Sequence, residues 1–241
     1  MTRTMNSSNK RSSTRPRLDG KSYLQLAKKE GFGWVSGNWV GYALSGSNGV
    51  YRQISGEWTV PFVMRTPRSA YSSAWIGIDG FHNGSLIQTG TGHECVEGVV
   101  RYYAWWEILP VEETVIHKPV HPGDRMRAVI VMLYRGKWFI SLSNLTRGWT
   151  FRTVQPYNGP RNSAEWIVEA PQVEGRTTRL AWFSSIPFRN CQVNGRNPRL
   201  SPSDGGILTQ DRKIVAIPSC PSPSGDAFLV KRKLWTGSFL G

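Results

Sequence analysis

The sequence lacks several features that mark common protein classes. It has no run of eighteen consecutive apolar residues that could span a bilayer, and its N-terminus lacks the apolar stretch of a secretory signal. Its three cysteines, Cys95, Cys191 and Cys220, form no CxxC pair, so we expect neither a disulfide framework nor a structural zinc site. It has no GxSxG motif and no cysteine in an activating context, which argues against a serine or cysteine nucleophile.

A metal site is also poorly supported. His117 and His121 have the spacing of two ligands on one helical face, but Pro119 lies between them and no helix is expected there. The other candidate set consists of three adjacent residues, His93, Glu94 and Cys95. We expect no bound metal and no cofactor.

The chain is strongly basic, with a formal net charge of +14 and a pI of about 10.1. Such a charge suggests nucleic-acid binding, because Lys and Arg neutralise phosphates. Residues 1–30, however, carry eight Lys/Arg and two Asp/Glu, and the remainder contains neither a basic helix nor a nucleic-acid motif. We therefore predict no specific nucleic-acid partner and no membrane partner.

The N-terminal segment differs in composition from the rest of the chain. Residues 1–21 are polar, rich in Ser and Arg and almost free of aliphatic side chains, a composition that cannot bury enough surface to fold alone. Residues 22–31 could form one or two helical turns. We predict a basic disordered tail, or a pro-segment that covers an acidic groove, over residues 1–33, and a single β-sandwich domain over residues 34–241.

The body of the chain is composed of short strands and turns. Period-two alternation and glycine turns recur, and no segment after residue 31 keeps a helical period for three turns. The predicted strands cover residues 38–44, 50–61, 73–80, 85–90, 99–110, 126–134, 137–145, 149–156, 163–170, 179–188, 213–218 and 226–235. This pattern predicts an all-β fold, an antiparallel two-sheet β-sandwich of the concanavalin-like jelly-roll type.

Alternation within the strands indicates a cleft. Trp75 shares one face of its strand with Asp79, and Trp105 shares one face with Glu107. A single acidic residue on a strand usually faces solvent, but a solvated face rarely carries tryptophans. We predict a concave, aromatic-walled cleft that binds an extended polymer and contains four polar side chains, Asp79, Gln88, Glu107 and Glu165.

Eight short segments occur in one characteristic order: GNWVGYAL (37–44), GEWTVP (56–61), AWIGIDG (74–80), LIQTG (86–90), YAWWEILP (103–110), PGD (122–124), NLT (144–146) and AEWIVE (164–169). Their combination resembles the glutamic peptidases, the eqolisin family. The resemblance implies a sandwich of two antiparallel sheets and an acid-acting, pepstatin-insensitive endopeptidase with a polypeptide substrate. It also implies an extracellular or acidic location, although no classical signal is visible, and we expect a monomer.

The resemblance implies a catalytic pair. The glutamine of the family's QTG motif is Gln88 here, and the glutamate of its AEW motif is Glu165. A carboxylate can take a proton from the attacking water and return it to the departing amine. An amide NH2 can stabilise the tetrahedral intermediate without adding charge. The supporting groove residues implied by the same motifs are Trp39, Trp75, Asp79, Trp105 and Glu107.

Neighbouring carboxyls should tune this pair. Two acids close together cannot easily both ionise, so we expect Glu107 and Asp79 to affect the ionisation of Glu165. The chain departs from the family pattern at Tyr103, where an aspartate is common, and at Leu109, where a tyrosine is common. The pH optimum and the cleavage preference therefore remain open.

Two other functions remain compatible with the residues alone. A jelly-roll glycoside hydrolase would also place two carboxyls in a tryptophan-lined groove, with Glu107 and Glu165 as the reacting pair. It would leave Gln88 without a role. A groove-binding module without turnover is the third alternative.

Overall fold

The computed structural model describes residues 11–12 and 21–233, and it is nearly all β. The elements, numbered in chain order, are the helix α1 (Lys21–Lys29) and the strands β1 (Arg11–Ser12), β2 (Trp34–Ser36), β3 (Trp39–Ser45), β4 (Gln53–Thr59), β5 (Ala70–Ile78), β6 (Ile87–Val96), β7 (Val99–Ile108), β8 (Thr114–Ile116), β9 (Arg125–Tyr134), β10 (Lys137–Asn144), β11 (Trp149–Pro156), β12 (Ser163–Glu169), β13 (Gln172–Val173), β14 (Arg176–Thr177), β15 (Ile186–Val193), β16 (Gly205–Gln210), β17 (Lys213–Pro218) and β18 (Phe228–Arg232). A short 3-10 turn occupies Pro202–Asp204.

The strands form two packed layers. Hydrogen-bonded neighbours run in the order β11, β10, β9, β4, β15, β18, β17, β16, β3, β12, β5, β6, β7, β8. We call the run from β3 to β8 the front layer and the run from β11 to β18 the back layer; β17 and β16 connect them. Neighbours on this path are antiparallel, and β2 joins β16 in parallel. The predicted antiparallel two-sheet sandwich is confirmed.

Tryptophans connect the two layers through buried hydrogen bonds. The Trp166 indole in the front layer donates to the Ser55 carbonyl in the back layer at 2.9 Å, and the Trp58 indole in the back layer donates to Thr91 Oγ1 at 2.9 Å. Gly56 allows this close approach, since a Cβ there would lie 2.9 Å from the Trp166 ring. Each indole buries a large apolar surface while its N–H remains satisfied.

The strand predictions hold for most of the chain. The structure adds five short strands outside the predicted ones, β1, β2, β8, β13 and β14, and extends β6 to Val96. Two further differences are larger. Residues 179–188 were predicted as a strand, but Leu180 and Phe183 make only single bridges, and β15 begins at Ile186. The strand β16 was not predicted, because the pair Gly205 and Gly206 weakens a strand pattern. In the structure both glycines are buried under aromatic rings.

Part of the predicted tail or pro-segment packs against the sandwich. After α1, the Phe32 amide donates to the Ala27 carbonyl at 2.8 Å, and both side chains are buried in the core. Glu30 forms an ion pair with Lys233 at 2.6 Å. Residues 1–10 and 13–20 of the same predicted segment lie outside the described residues. Within the described ranges, no helix combines the length and apolar character needed to cross a membrane.

A histidine lies in the core between the layers. His93 is fully buried, and its Nε2 lies 2.8 Å from Thr91 Oγ1. Burial lowers the pKa of His93 to about 3, because the charged imidazolium would lose its hydration there. The folded protein thus keeps this ring neutral at pH values where an unfolded histidine, with a pKa of about 6.5, takes up a proton.

This burial predicts a pH-dependent loss of stability. As the pH falls from about 6.5 towards 3, protonation of His93 favours the unfolded chain, so its contribution to the free energy of unfolding decreases. We expect the difference in Tm between the wild type and His93→Gln, measured by calorimetry, to change in favour of the variant by several degrees between pH 7 and pH 3. A difference independent of pH would contradict the buried neutral state.

Candidate active site

Four strands of the front layer place the predicted polar residues in one line. Glu165 on β12 lies opposite Gly77 on β5, Gly77 lies opposite Gln88 on β6, and Gln88 lies opposite Glu107 on β7. Directly opposed residues project to the same side of a sheet. We call Glu165, Gly77, Gln88 and Glu107 the polar row, and the side on which it lies, away from the back layer, the outer face.

Gly77 separates the two predicted catalytic residues. Neighbouring strands are about 4.8 Å apart, so the Cα atoms of Glu165 and Gln88 are about 10 Å apart with a glycine between them. A Cβ at Gly77 would lie 2.9 Å from both Leu86 Cδ1 and Trp75 Cζ3. The missing side chain at Gly77 therefore lets Leu86 and Trp75 pack against the sheet between Glu165 and Gln88.

The Gln88 amide contacts the Glu107 carboxyl. Its Nε2 donates a hydrogen bond to Glu107 Oε2, whereas its Oε1 is buried without a hydrogen-bond partner among the described residues. Burial raises the pKa of Glu107 to about 8, the negative charges of Glu169, Glu113 and Glu112 add to the rise, and the bond from Gln88 opposes it. Glu107 is thus neutral under acidic conditions.

Glu165 is fully buried in the centre of the front layer. Its charge acts on two buried tyrosines that pack in the core between the layers, Tyr51 and Tyr157. Burial raises the pKa of Tyr51 to about 12, and Glu165 adds to this effect. For Tyr157, burial and then the charges of Asp79 and Glu165 raise the pKa. Both phenols therefore remain protonated at neutral and acidic pH.

Aromatic side chains line the outer face beside the polar row. Ile167, Trp75, Gly90 and Trp105 form the next line across β12, β5, β6 and β7. Trp39 packs edge-on against Trp75, with ring centroids 5.0 Å apart. These side chains belong to a buried cluster separate from the core between the layers, which we call the groove cluster: Trp34, Trp39, Ala43, Trp75, Leu86, Trp105 and Ile167.

Two indoles of the groove cluster have buried N–H groups that can still donate. Within the described residues, neither Trp39 Nε1 nor Trp105 Nε1 has a hydrogen-bond partner. A buried donor without an acceptor is costly and uncommon in folded proteins. The outer face therefore carries donors that a polar ligand could satisfy.

Glu169 is a site residue that the sequence analysis did not include. It accepts a hydrogen bond from Trp75 Nε1 at 2.9 Å and another from Asn38 Nδ2 at 3.1 Å, and it is buried. These bonds fix the Trp75 ring over the outer face. The sequence contained a signal for this role. Glu169 follows Glu165 by four residues and Ile167 by two, so alternation along the strand places all three on one face.

Asp79 lies apart from the polar row. Its φ is +71°, directly after the end of β5, so strand alternation stops before it. Its Oδ2 accepts from the Tyr157 hydroxyl at 2.6 Å and the Arg161 amide at 2.8 Å, and its Oδ1 accepts from the Asn162 amide at 3.0 Å. Asp79 thus fixes the segment that leads into β12, and its role in the groove remains a prediction.

The two departures from the family pattern also lie at the groove. Tyr103 and Leu109 are partly buried against the groove cluster. A Cβ at Gly92 would lie 2.2 Å from the Tyr103 ring, so this ring lies flat over the glycine of the neighbouring strand. At Tyr103 the chain therefore has an aromatic surface at the position where an aspartate is common in the family.

A two-layer antiparallel sandwich that aligns a glutamate and a glutamine across three adjacent strands has the architecture of a glutamic endopeptidase. The model of the peptidase A4 family matches residues 37–230, and the chain belongs to this family. The match decides against the glycoside hydrolase and the binding module. The protein is a glutamic endopeptidase.

Individual relatives agree with this assignment. The chain is 26% identical to aspergillopepsin-2 of Aspergillus niger over 224 residues, which covers 81% of this chain and 77% of the relative. The structure of scytalidoglutamic peptidase with a transition state analog inhibitor is similar in fold, with a TM-score of 0.70, 22% identity, and coverage of 82% and 98% of the two chains. Aspergilloglutamic peptidase of Aspergillus niger has a TM-score of 0.58 and 25% identity over 68% of this chain and 99% of its own.

The spacing at Gly77 predicts that an alanine there will damage the site. A Cβ would push Leu86 and Trp75 away from their positions, which should cost about 1–3 kcal/mol of stability. It should also reduce kcat/KM at least tenfold, because Trp75 packs in the line next to the polar row and its displacement would disturb that row. Thermal unfolding and peptide hydrolysis measure the two effects. Gly84→Ala is the matched control, since nothing lies within 4 Å of a Cβ there. Equal activity in both variants would contradict this account.

Proposed function

We propose that the protein cleaves polypeptides under acidic conditions with Glu165 and Gln88 as the catalytic pair. The supporting observation is the polar row, which aligns Glu165 and Gln88 across a glycine on one face of the sheet. The proposed mechanism uses no metal and no cofactor, and it operates in a monomer in acidic surroundings.

In this mechanism Glu165 acts first as a base and then as an acid. Its carboxylate takes a proton from a water molecule while the water oxygen attacks the carbonyl carbon of the peptide bond. The carbonyl oxygen becomes negatively charged and accepts a hydrogen bond from the Gln88 NH2. The C–N bond then breaks, and Glu165 returns the proton to the departing amine nitrogen.

Glu107 has the position to orient the Gln88 amide. A half-turn of this amide about its last bond exchanges Oε1 and Nε2. The neutral carboxyl of Glu107 can then donate its proton to Gln88 Oε1, which satisfies this buried oxygen and directs Nε2 towards Glu165. In this arrangement Glu107 is a positioning residue, and it acts in its protonated form.

The groove cluster supplies contacts for the polypeptide. An extended peptide exposes a carbonyl oxygen at every residue, and the buried N–H groups of Trp39 and Trp105 are suitable donors for such oxygens. The rings of Trp39 and Trp75 are fully buried in the empty protein, and they offer apolar surface for side chains of the substrate once a covering side chain moves. Glu169, through its bond to Trp75 Nε1, keeps this surface in a fixed orientation.

The pair is tested by digestion of a denatured protein between pH 2 and pH 7 with pepstatin present. Glu165→Gln removes the base and should abolish turnover, and Gln88→Ala should reduce kcat by about 10²–10³. Glu174→Gln, at an exposed position, controls for the loss of one acid. Proteolysis that survives in both Glu165→Gln and Gln88→Ala would refute the proposed pair.

The role of Glu107 is tested by two substitutions. Glu107→Gln replaces a neutral acid with a neutral amide that can still donate to Gln88, so we expect kcat within a few-fold of the wild type. Glu107→Leu removes the donor and should reduce kcat by about 10². Steady-state kinetics at acidic pH measure kcat of both variants. An equal loss of kcat in the two variants would contradict a positioning role for the neutral side chain.

The pH dependence of stability is a second measurement on the Glu107→Gln variant. The pKa of Glu107 is raised in the folded state, so its contribution to the free energy of unfolding is present below about pH 4.5 and is lost as the pH rises through about 8. The Tm of Glu107→Gln relative to the wild type should therefore increase over this interval.

A further inference from the structure

A tryptophan outside the family match contributes to the groove. Trp34 is in β2, whereas the match begins at residue 37. Trp34 lies opposite Gly206 on β16, and Gly206 lies opposite Gly41 on β3. Gly41 in turn lies opposite Ile167. Trp34 is therefore in the line of Ile167 and Trp75 and projects from the outer face.

The position of the Trp34 ring is fixed by its surroundings. A Cβ at Gly206 would lie 1.9 Å from ring carbons of Trp34, so the indole lies flat over this glycine. Its Nε1 donates to the Asp204 carbonyl at 2.8 Å. The ring is buried and belongs to the groove cluster, together with Ala43 and Ile167. Strand pairing, close packing and a hydrogen bond thus hold it beside the polar row.

Phe81 meets this ring from the other side of the polar row. Its amide lies 3.4 Å from Ser163 Oγ. On β12, Ser163 lies two residues before Glu165, and Ile167 lies two residues after Glu165. Phe81 is therefore on the Ser163 side of the polar row, and Trp34 is on the Ile167 side. The rings of Phe81 and Trp34 pack edge-on with centroids 5.4 Å apart. Because the two residues come from opposite sides of the row, their contact crosses it near Glu165.

This contact covers the outer face beside Glu165, at one end of the polar row. Gln88 and Glu165 are fully buried, and Glu107 is 2% exposed, so a polypeptide reaches them only if a covering side chain moves. Trp34 is held by strand pairing, whereas Phe81 is partly buried in the connection between β5 and β6. Of the two rings, Phe81 is therefore the one that strand pairing does not hold.

We propose that Trp34 and Phe81 form a substrate subsite beside Glu165 that binds a large apolar side chain near the scissile bond. In the empty protein the two rings fill this subsite by packing on each other. When substrate binds, Phe81 moves away and the substrate side chain packs on Trp34 in its place. The choice of an apolar ligand follows from the surroundings, since the groove cluster supplies Ala43 and Ile167 next to the two rings. This inference rests on the proposed function of Glu165.

The test compares two peptides that differ only in one side chain beside the cleaved bond, leucine in one and alanine in the other. In the wild type the leucine peptide should have the higher kcat/KM. Trp34→Ala should lower kcat/KM for the leucine peptide about tenfold and for the alanine peptide much less, because only the large side chain loses its contact. Mass spectrometry of a digested denatured protein should show the same loss of preference at one position.

Phe32→Ala is the matched control. Phe32 is in the same segment but packs in the core between the layers, so its loss should lower Tm without changing the ratio of the two kcat/KM values. Phe81→Ala provides a second test of the subsite if Trp34→Ala does not fold. An unchanged preference ratio in the folded Trp34 or Phe81 variant overturns the subsite.

The subsite and the catalytic pair can fail separately. Cleavage by Glu165→Gln would refute the pair, while the preference ratio would still report on Trp34. If Glu165→Gln is inactive, calorimetry with this variant measures binding of the two peptides directly. The leucine peptide should then bind about tenfold more tightly, and this advantage should disappear in the double variant with Trp34→Ala. Equal binding of both peptides to Glu165→Gln would contradict the subsite.

Discussion

The register of four antiparallel strands is the constraint on which the site depends. Opposed residues in neighbouring strands share a face, so Glu165, Gln88 and Glu107 lie in one row only because β12, β5, β6 and β7 pair in one particular alignment. A slip of one residue in any pair would move one of these side chains into the core between the layers. Gly77 is part of the same constraint, since a side chain there would collide with Leu86 and Trp75, which pack beside the row.

The outer face combines carboxyls with an apolar environment. Glu107, Glu165 and Glu169 are all at most 2% exposed, and burying three like charges without compensation would be strongly unfavourable. The structure reduces this cost in two ways. Protonation keeps Glu107 neutral in acid, and Glu169 receives hydrogen bonds from Trp75 and Asn38. Acidic conditions therefore suit the electrostatics of this face, because protonation relieves repulsion between its carboxyls.

The segment before the family match contributes one ring to the core between the sheets and another to the groove cluster. Phe32 packs in the core between the sheets, and Trp34 packs on the groove cluster two residues later. Sequence reasoning placed the domain boundary at residue 34 because the composition before it is basic and polar. It did not identify Trp34 as a groove residue, since the pairing of β2 with β16 joins residues that are about 170 positions apart in the chain.

The sequence by itself determined the all-β class, most strand positions and the faces on which Gln88, Glu107 and Glu165 lie, because alternation within a strand is local. The motifs around these residues also indicated the peptidase family. Only the tertiary structure decided which strands are neighbours, and so which polar groups meet. Asp79 has a positive φ, which ends the strand alternation, and its carboxyl accepts hydrogen bonds from Tyr157 and Asn162. Glu169 accepts a hydrogen bond from Trp75. These contacts depend on long-range pairing and on the space left by glycines, and neither is encoded in a local pattern.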